Sequence, residues 1–246
     1  MTIRVGHLYP EYLNIYADRG NIAVLAERAR ARGYELDVTG IGMDDAVPAG
    51  IDLFYIGGGQ DREQELVAHD LVAKGEALHA AVSGGTVFLA VCGGYQLLGS
   101  SYVDVAGNEL PGIGLLPLHT VAGSTRMIGD VLLECAWAGR SLAGFENHAG
   151  RTILDDGAEP LGRVVAGFGN DGVSGFEGCR SGRVYGTYLH GPLLPRNPWF
   201  ADLLLAEALA HAGLETTLAP LDDALETRAH AVAAERARSR GGRSSS

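Results

Sequence analysis

The feature that most constrains the fold is an alternation of short apolar segments with longer amphipathic ones, which continues up to Gly99. The short segments "IRVGHL", "YELDVTGI", "IDLFYIGGG" and "TVFLAVC" favour strands, and the longer segments between them repeat apolar residues at helical spacing. Strands joined by helices are typical of a parallel sheet with helices packed on it. We therefore expect an α/β fold with a mostly parallel central sheet flanked by helices.

Beyond Ser100 the apolar segments are shorter, and Gly, Asn and Asp turns separate them. This pattern predicts additional, partly antiparallel strands in the same domain. The segment "NPWFADLLLAEALAHAG" predicts a closing helix with Pro198 near its first turn. We expect one domain over residues 1–221 and, over 222–246, a short C-terminal helix that frays into a disordered tail. The strand candidates are "SYVDVAG", "RMIGDVLLE", "SLAGFENH", "GRVVAG" and "GRVYGTYLH".

Charge and cysteine content argue against several classes of protein. The formal net charge is −11, from 19 Lys and Arg against 30 Asp and Glu, so the field of the molecule repels nucleic acid. No segment approaches the ~20 apolar residues that cross a bilayer. The three cysteines lack CxxC or CxH spacing, which disfavours a zinc site or a disulfide framework and suits a reducing cytosol. We expect a cytoplasmic protein with no metal, no nucleic-acid partner and no membrane span.

The segment "TVFLAVCGGYQLLGS" predicts that Cys92 lies on a tight turn between a strand and a helix. The strand would deliver the thiol to the carboxyl edge of the sheet, where open parallel sheets bind ligands. Ala90 and Gly94 are small enough for the backbone to fold sharply and for a substrate to approach. The helix N-terminus would favour the reactive thiolate. The alternative is a buried core cysteine, which is what we expect of Cys135 and Cys179.

Two further segments place chemical groups at strand ends. In "VYGTYLHGPL" a predicted strand ends at His190, before a Gly-Pro breaker, which suits a general base that faces a cleft. In "FYIGGGQD" glycines follow a strand and expose backbone N–H groups that could hold an oxyanion. A glycine loop alone is weak evidence, but the three strand ends together predict an α/β enzyme with a cysteine nucleophile, such as an amide hydrolase or transferase.

The order of glycine loop, "VCGGYQ" turn and late "YLHG" resembles class I glutamine amidotransferases, in their cobyric-acid-synthase-like branch. The segments "GHLYPEYLNIYADRGNI", "GFENHAGRT" and "YGTYLHGPLLPRNP" resemble the GatD family, the glutaminase subunits of lipid II isoglutaminyl synthases. The resemblance covers nearly all of residues 3–210 and implies a flavodoxin-like core. It implies hydrolysis of L-glutamine to supply ammonia to a Mur-ligase-like partner, MurT, which amidates the D-glutamate α-carboxylate of lipid II in peptidoglycan synthesis.

The resemblance also implies roles for individual residues. Cys92 would attack the side-chain carboxamide of glutamine to give a thioester, and His190 would act first as base and then as acid. Arg126, in "AGSTRMIG", would bind the α-carboxylate of glutamine through its planar fork. Without the resemblance, a solvated surface arginine would be the simpler interpretation.

Backbone N–H groups of Gly93 and of Gly58 or Gly59 would hold the oxyanion. Gln96 would make a supporting polar contact, although a glutamine on an exposed helix surface would be equally ordinary. No cofactor is expected on this chain, because it lacks the GxxxxGK[ST] motif of ATP-binding loops. ATP and Mg²⁺ are expected on the partner ligase.

The chain departs from many class I enzymes at Pro192, where those enzymes have a glutamate that orients the catalytic histidine. Either Cys92 and His190 act as a dyad, or an acid from elsewhere in the chain or from the partner completes the site. In "GFENHAGRT", Asn147, His148 and Arg151 could shape a substrate channel or the partner interface, but we expect them to form a hydrogen-bonded strand and turn that positions neighbouring loops. His148, assigned to a polar loop, is a rival base.

His7 follows the first strand and is expected to be buried and hydrogen-bonded rather than to line the cleft. Two other functions stay open. One is the glutaminase of a cobyrinate or cobyrate amidase, although such proteins normally carry a synthetase segment for which 246 residues leave no room. The other is an inactive amidotransferase-like interaction module, against which the joint presence of Cys92, His190 and Arg126 argues.

Overall fold

The computed structural model describes residues 1–14, 19–190 and 192–240. Its strands are Thr2–Leu8 (β1), Glu35–Ile41 (β2), Leu53–Ile56 (β3), Val87–Val91 (β4), Ser101–Val103 (β5), Glu109–Pro111 (β6), Leu118–Cys135 (β7), Arg140–Leu154 (β8), Gly162–Ala166 (β9), Phe176–Glu177 (β10), Cys179–Ser181 (β11) and Val184–Thr187 (β12). Its helices are Arg19–Arg30 (α1), Asp61–Ser83 (α2), Gly93–Leu97 (α3), Pro198–His211 (α4) and Ala224–Arg240 (α5), with a 3₁₀ turn at Leu194–Arg196.

The first sheet contains six strands in the order β11-β12-β4-β3-β1-β2. All of them run parallel to their neighbours except β11, which is antiparallel to β12. The central strands β3 and β4 are buried along their whole length, as expected for strands covered on both faces. The predicted α/β fold with a mostly parallel sheet is therefore confirmed, and it directs the carboxyl ends of β3, β4 and β12 to one edge.

The second sheet has the order β10-β9-β7-β5-β6, with β8 paired to β7. Most of its pairings are antiparallel, which confirms the predicted antiparallel strands of the C-terminal half. Its main feature is one long hairpin, in which β7 and β8 pair from Leu118 opposite Leu154 to Cys135 opposite Arg140. The register shifts between Ala122 and Met127, so this irregular stretch includes Arg126.

One predicted strand ends earlier than the sequence indicates. We expected it to run to His190, but β12 ends at Thr187. Its neighbour β4 ends at Val91, where the chain turns into α3, so the ladder has no partner beyond that point. The N–H of Tyr188 instead donates to the carboxylate of Glu177. His190 then forms an isolated antiparallel bridge with Phe145 of β8.

The C-terminal helix is longer than the short helix that we expected. It spans 17 residues, and its small side chains Ala233, Ala234 and Ala237 are buried against Leu132, Ala143 and Ala166 of the second sheet. Small residues on one face of a helix let its backbone approach a sheet closely. The predicted tail over 241–246, residues 15–18 of the opening motif and Gly191 lie outside the described residues. Within the described ranges, no helix is long and apolar enough to cross a membrane.

Candidate active site

Cys92 lies on the turn between β4 and α3 that the sequence predicts. Its φ of 51° and ψ of −109° place a non-glycine residue in a left-handed conformation, which costs about 1–3 kcal/mol. The turn is held from both sides, because the N–H of Cys92 donates to the carbonyl of Thr187 at 2.8 Å and its carbonyl accepts from the N–H of Gln96 at 3.0 Å. Such a turn directs the side chain to the edge of the sheet.

The two glycines after Cys92 let the turn approach the glycine loop that follows β3. A Cβ atom on Gly94 would lie 2.8 Å from the carbonyl oxygen of Gly57, and the N–H of Gly94 donates to that oxygen at 3.1 Å. A Cβ atom on Gly93 would lie 3.0 Å from the backbone nitrogen of Gly59. The glycine loop and the turn after Cys92 are therefore in close backbone contact, with Gly59 next to Gly93.

A cavity of about 510 Å³ opens at this edge of the sheet. It brings together four of the residues predicted from the sequence: Cys92, Gly59, Gln96 and Arg126. The predicted residues Gly58, Gly93 and His190 do not line it. The other lining residues are Gln60, Arg62, Gln64, Tyr102, Asn147, His148, Ala149 and Gly150. The charged lining residues, Arg62 and Arg126, are both cationic, so this cavity attracts anions in a chain of net charge −11.

Arg126 is held in place by Asn147 of β8. Its Nε donates to Oδ1 of Asn147 and its Nη2 to the backbone carbonyl of the same residue, both at 2.9 Å. These contacts occupy one edge of the guanidinium, while an arginine carries five N–H donors. The opposite end of the fork is the part that can bind a carboxylate bidentately.

Gln96 is not on an exposed helix surface but is almost fully buried in a polar network. Its Nε2 donates to the hydroxyl of Tyr188 at 3.0 Å, and that hydroxyl lies 2.6 Å from Oγ1 of Thr152. A Cβ atom on Gly150 would lie 2.8 Å from the hydroxyl of Tyr188 and would also clash with the amide of Gln96. The network therefore connects α3, behind the thiol, with the end of β12 and with β8.

His148 lies within β8, not in the polar loop that we expected, because the β7–β8 hairpin continues through the whole "GFENHAGRT" segment. Its ring stacks flat on Tyr188, with centroids 3.5 Å apart, and its Nδ1 donates to the carbonyl of Gly150 at 2.9 Å. Its Nε2 lies 3.8 Å from the carboxylate of Glu146. Burial lowers the pKa of His148 despite that carboxylate, so the ring is held neutral and lines the cavity as a polar wall.

His190 is fully buried, three residues after the backbone contact between Thr187 and Cys92. Its N–H donates to the carbonyl of Phe145 at 2.7 Å, which fixes the backbone of the segment after β12. The structure therefore brings Cys92 and His190 to the ends of two adjacent parallel strands. Cys92 lines the cavity, whereas His190 is fully buried and is not among its lining residues.

Two buried carboxylates that the sequence did not reveal lie near this segment. Glu177 accepts hydrogen bonds from the N–H of Tyr188 at 2.6 Å and from Oγ1 of Thr187 at 3.0 Å. Burial raises the pKa of Glu177 to about 8, and the negative charge of Glu146 adds to the effect. Glu146 accepts from the N–H groups of Phe168 and Gly169 at 2.7 and 2.9 Å. Neither glutamate is near His190 in sequence, so spacing alone could not have identified them.

The remaining residues considered in the sequence analysis make contacts within the fold and do not line the cavity. His7 is buried beside Tyr55, with ring centroids 5.4 Å apart, and does not line the cavity. Arg151 donates to backbone carbonyls of the hairpin, including that of Ala149 at 2.8 Å. Cys135 and Cys179 are buried, as expected, and burial raises the pKa of each thiol to about 12. In the described part of the chain, no group of three or more His, Cys, Asp and Glu residues could hold a metal ion.

Comparison with known proteins identifies the class to which this site belongs. Residues 4–198 match the family model of the CobB/CobQ-like glutamine amidotransferase domain. The chain is 38% identical over 236 residues to the GatD subunit of the glutamine-hydrolysing lipid II isoglutaminyl synthase of Staphylococcus aureus, covering 96% of each protein. It is 39% identical to the corresponding subunit of Streptococcus pneumoniae, covering 84% of this chain and 80% of that protein.

More distant similarities agree with this assignment. A cobyric acid synthase of a Jannaschia species is 32% identical over 198 residues, but the matched region covers only 40% of that protein. The glutaminase domain of Trypanosoma brucei CTPS has the same fold, with a TM-score of 0.53 at 13% identity over 88% of this chain and 96% of that one. A glutamine amidotransferase of Thermotoga maritima superposes with a TM-score of 0.51 at 17% identity, over 96% of this chain and 95% of that one.

Proposed function

The chain belongs to the CobB/CobQ-like glutamine amidotransferase family, and we propose that it is the glutaminase subunit of a lipid II isoglutaminyl synthase. In this proposal it hydrolyses L-glutamine and passes the ammonia to a Mur-ligase-like partner, MurT, in the cytoplasm. The partner carries ATP and Mg²⁺ and amidates the D-glutamate α-carboxylate of lipid II. The GatD relatives, which match over most of their length, support this assignment.

The observation that carries the proposal is the strained turn that presents Cys92 to a cavity also lined by Arg126. Glutamine carries a carboxamide at one end and an α-carboxylate at the other. The guanidinium of Arg126 binds the α-carboxylate and so directs the carboxamide towards the thiol. Orientation of this kind removes much of the entropic barrier to attack.

The reaction that we propose has two stages, the formation of a glutamyl thioester and its hydrolysis. Sγ of Cys92 forms a bond to the carboxamide carbon while His190 takes the thiol proton, and backbone N–H groups of Gly59 and Gly93 stabilise the oxyanion. The C–N bond then breaks, and His190 gives the proton to the nitrogen, which leaves as ammonia. Water hydrolyses the resulting glutamyl thioester to glutamate and restores the thiol.

The position of His190 supports a role for the partner in this reaction. Pro192 stands where many class I enzymes have the orienting glutamate, and His190 is fully buried and does not line the cavity. We propose that docking of the partner supplies the acid that orients the imidazole of His190 for proton transfer with the thiol. The chain alone is then a poor glutaminase.

The test measures ammonia release from glutamine and amidation of lipid II, with the chain alone and with its co-purified ligase. We expect glutamine hydrolysis to rise strongly on adding the ligase. The complex with Cys92→Ala should lose glutamine-dependent amidation but retain amidation with ammonium salt, because the ligase site is intact. Equal hydrolysis with and without the ligase would refute the role of the partner, and glutamine-dependent amidation by Cys92→Ala would refute the function.

A further inference from the structure

We propose that Gln64 recognises the carboxamide nitrogen of glutamine and makes the site specific for an amide over an ester. This inference rests on the proposed function and adds a specificity-determining residue to it. Gln64 lies in the first turns of α2, directly after the glycine loop, and lines the same cavity as Cys92.

The position of the side chain is set by its contact with the turn after Cys92. A Cβ atom on Gly93 would lie 3.0 Å from Cδ and 3.1 Å from Cγ of Gln64. The amide of Gln64 therefore packs against the residue next to the nucleophile. The carboxamide of a bound glutamine must lie at this end of the cavity, because its carbon has to come within bonding reach of Sγ.

The amide of Gln64 has an unsatisfied hydrogen-bonding group. The residue is 2% exposed, and its Nε2 makes one long contact of 3.5 Å to the carbonyl of Gly59. Its Oε1 is enclosed and has no hydrogen-bond partner among the residues that the structure describes. A buried acceptor without a donor is unfavourable and rare in folded proteins, so its presence beside a reactive thiol indicates a ligand that donates to it.

Glutamine provides the donor in the right place. Its carboxamide –NH₂ carries two N–H groups at the carbon that Cys92 attacks, whereas glutamate and γ-esters have no N–H there. Rotation about the last side-chain bond of Gln64 is soft, and the hydrogen bond that it would break is the long contact of Nε2 to the carbonyl of Gly59. Oε1 can therefore turn to the nitrogen, and it keeps a donor as the nitrogen leaves as ammonia.

A site built to hydrogen-bond an N–H group rejects an analogue that lacks it. The test compares L-glutamine with L-glutamate γ-methyl ester, which forms the same thioester but has no N–H on the leaving group. The full-length complex is assayed with Gln64 intact and with Gln64→Met, which keeps the length and removes the acceptor. We expect kcat/KM for glutamine to fall about tenfold in the variant and that for the ester to change by less than about threefold.

Gln60→Met is the matched control, because Gln60 lines the same cavity but is exposed. It should leave the glutamine-to-ester ratio unchanged. Gln64→Glu, which keeps an acceptor oxygen, should slow both substrates through its charge and preserve the ratio. A cooperative unfolding transition checks that Gln64→Met is folded. If it is not, Gln64→Ala replaces it, and the same selective loss on glutamine relative to the ester is expected.

An equal loss on both substrates, or no loss on either, would overturn the role of Gln64. In that case hydrolysis of both substrates by the unaltered complex would leave the proposed function standing. If the unaltered complex hydrolysed neither substrate, the proposed function would fail, and the inference about Gln64 with it.

Discussion

At the scale of single residues, the clearest sign of function is backbone strain at the thiol. A φ of 51° at Cys92 is tolerated by glycine and unfavourable for any other residue. We therefore expect Cys92→Gly to be more stable than Cys92→Ala by about 1–2 kcal/mol, although neither can react. Chemical denaturation of the two variants measures the difference.

The control is the same pair of substitutions at Cys135, which is buried in β7. At this position the Cys135→Gly variant is expected to be less stable than Cys135→Ala by at least about 0.5–1 kcal/mol, because glycine loses more chain entropy on folding. If the alanine variant were more stable than the glycine variant at both positions, the backbone at Cys92 would not be strained.

Glu177 gives the fold a pH dependence of its own. Burial raises its pKa in the folded state from 4.5 to about 8, so the folded chain keeps a proton that the unfolded chain has already released. The stability contributed by this proton is complete below the unfolded pKa and is lost as the pH rises towards 8. The neutral, buried His148 contributes in the opposite sense, because its pKa is lowered on folding. The effect of Glu177 is therefore measured as a difference: from about pH 5 to about pH 8 the wild-type protein should lose stability relative to Glu177→Gln.

Urea denaturation at the two pH values measures this effect. Glu109→Gln, at an exposed position, is the control and should leave the difference between the two values unchanged. A stability difference between wild type and Glu177→Gln that is the same at both pH values would contradict the assignment.

At the scale of elements, the β7–β8 hairpin supports the helix that begins at the thiol. Gly150 allows the amide of Gln96 and the hydroxyl of Tyr188 to lie against β8. We expect Gly150→Ala to cost about 1–3 kcal/mol of stability through overpacking and to slow glutamine hydrolysis, because both side chains must move. Thermal denaturation and the hydrolysis assay measure the two effects.

Gly129 is the matched control on the other strand of the hairpin, since a Cβ atom there would meet nothing within 4 Å. Gly129→Ala should therefore be neutral or slightly stabilising. Similar losses for the two alanine variants would show that hairpin propensity, and not the contact with α3, decides the result at Gly150.

The elements also show which parts of the structure can be predicted from sequence. Apolar periodicity identified β3, β4 and the turn at Cys92, because these strands are buried on both faces and glycines follow within two residues of their ends. It misplaced the end of β12, because that end depends on where the neighbouring strand β4 stops. It also placed His148 in a loop, because its burial depends on stacking with Tyr188, 40 positions away (188 − 148).

In the candidate site too, residues marked by a local motif could be predicted from the sequence, whereas residues whose role depends on tertiary packing could not. Cys92, Gly59, Gln96 and Arg126 could be found because a local motif or a family resemblance pointed to them, and the cavity brings them together. Gln64 and Glu177 carry no motif, and their environments arise only from tertiary packing. Long-range burial of a polar group leaves no signature in local sequence.

At the scale of the whole molecule, the structure combines a parallel α/β sheet with a second, largely antiparallel sheet, and the site lies where their elements meet. The glycine loop, the thiol turn and the segment with His190 come from the first sheet, and Arg126, Asn147 and His148 come from the second. The resemblance to the GatD family was confirmed, with matches of 96% and 80% of two relatives' lengths. The two GatD relatives are 38% and 39% identical to the chain, against 32% for the cobyric acid synthase, which favours the lipid II assignment over a cobyrate amidase.

The central claim is that Cys92 is the nucleophile that attacks glutamine. The most direct test incubates the chain, bound to its ligase, with an electrophilic glutamine analogue and maps the modified peptide by mass spectrometry. Modification at Cys92 that glutamine prevents, with none at Cys135 or Cys179, is the predicted result. An intact Cys92 in a complex that still hydrolyses glutamine, or modification that glutamine does not prevent, would contradict the claim.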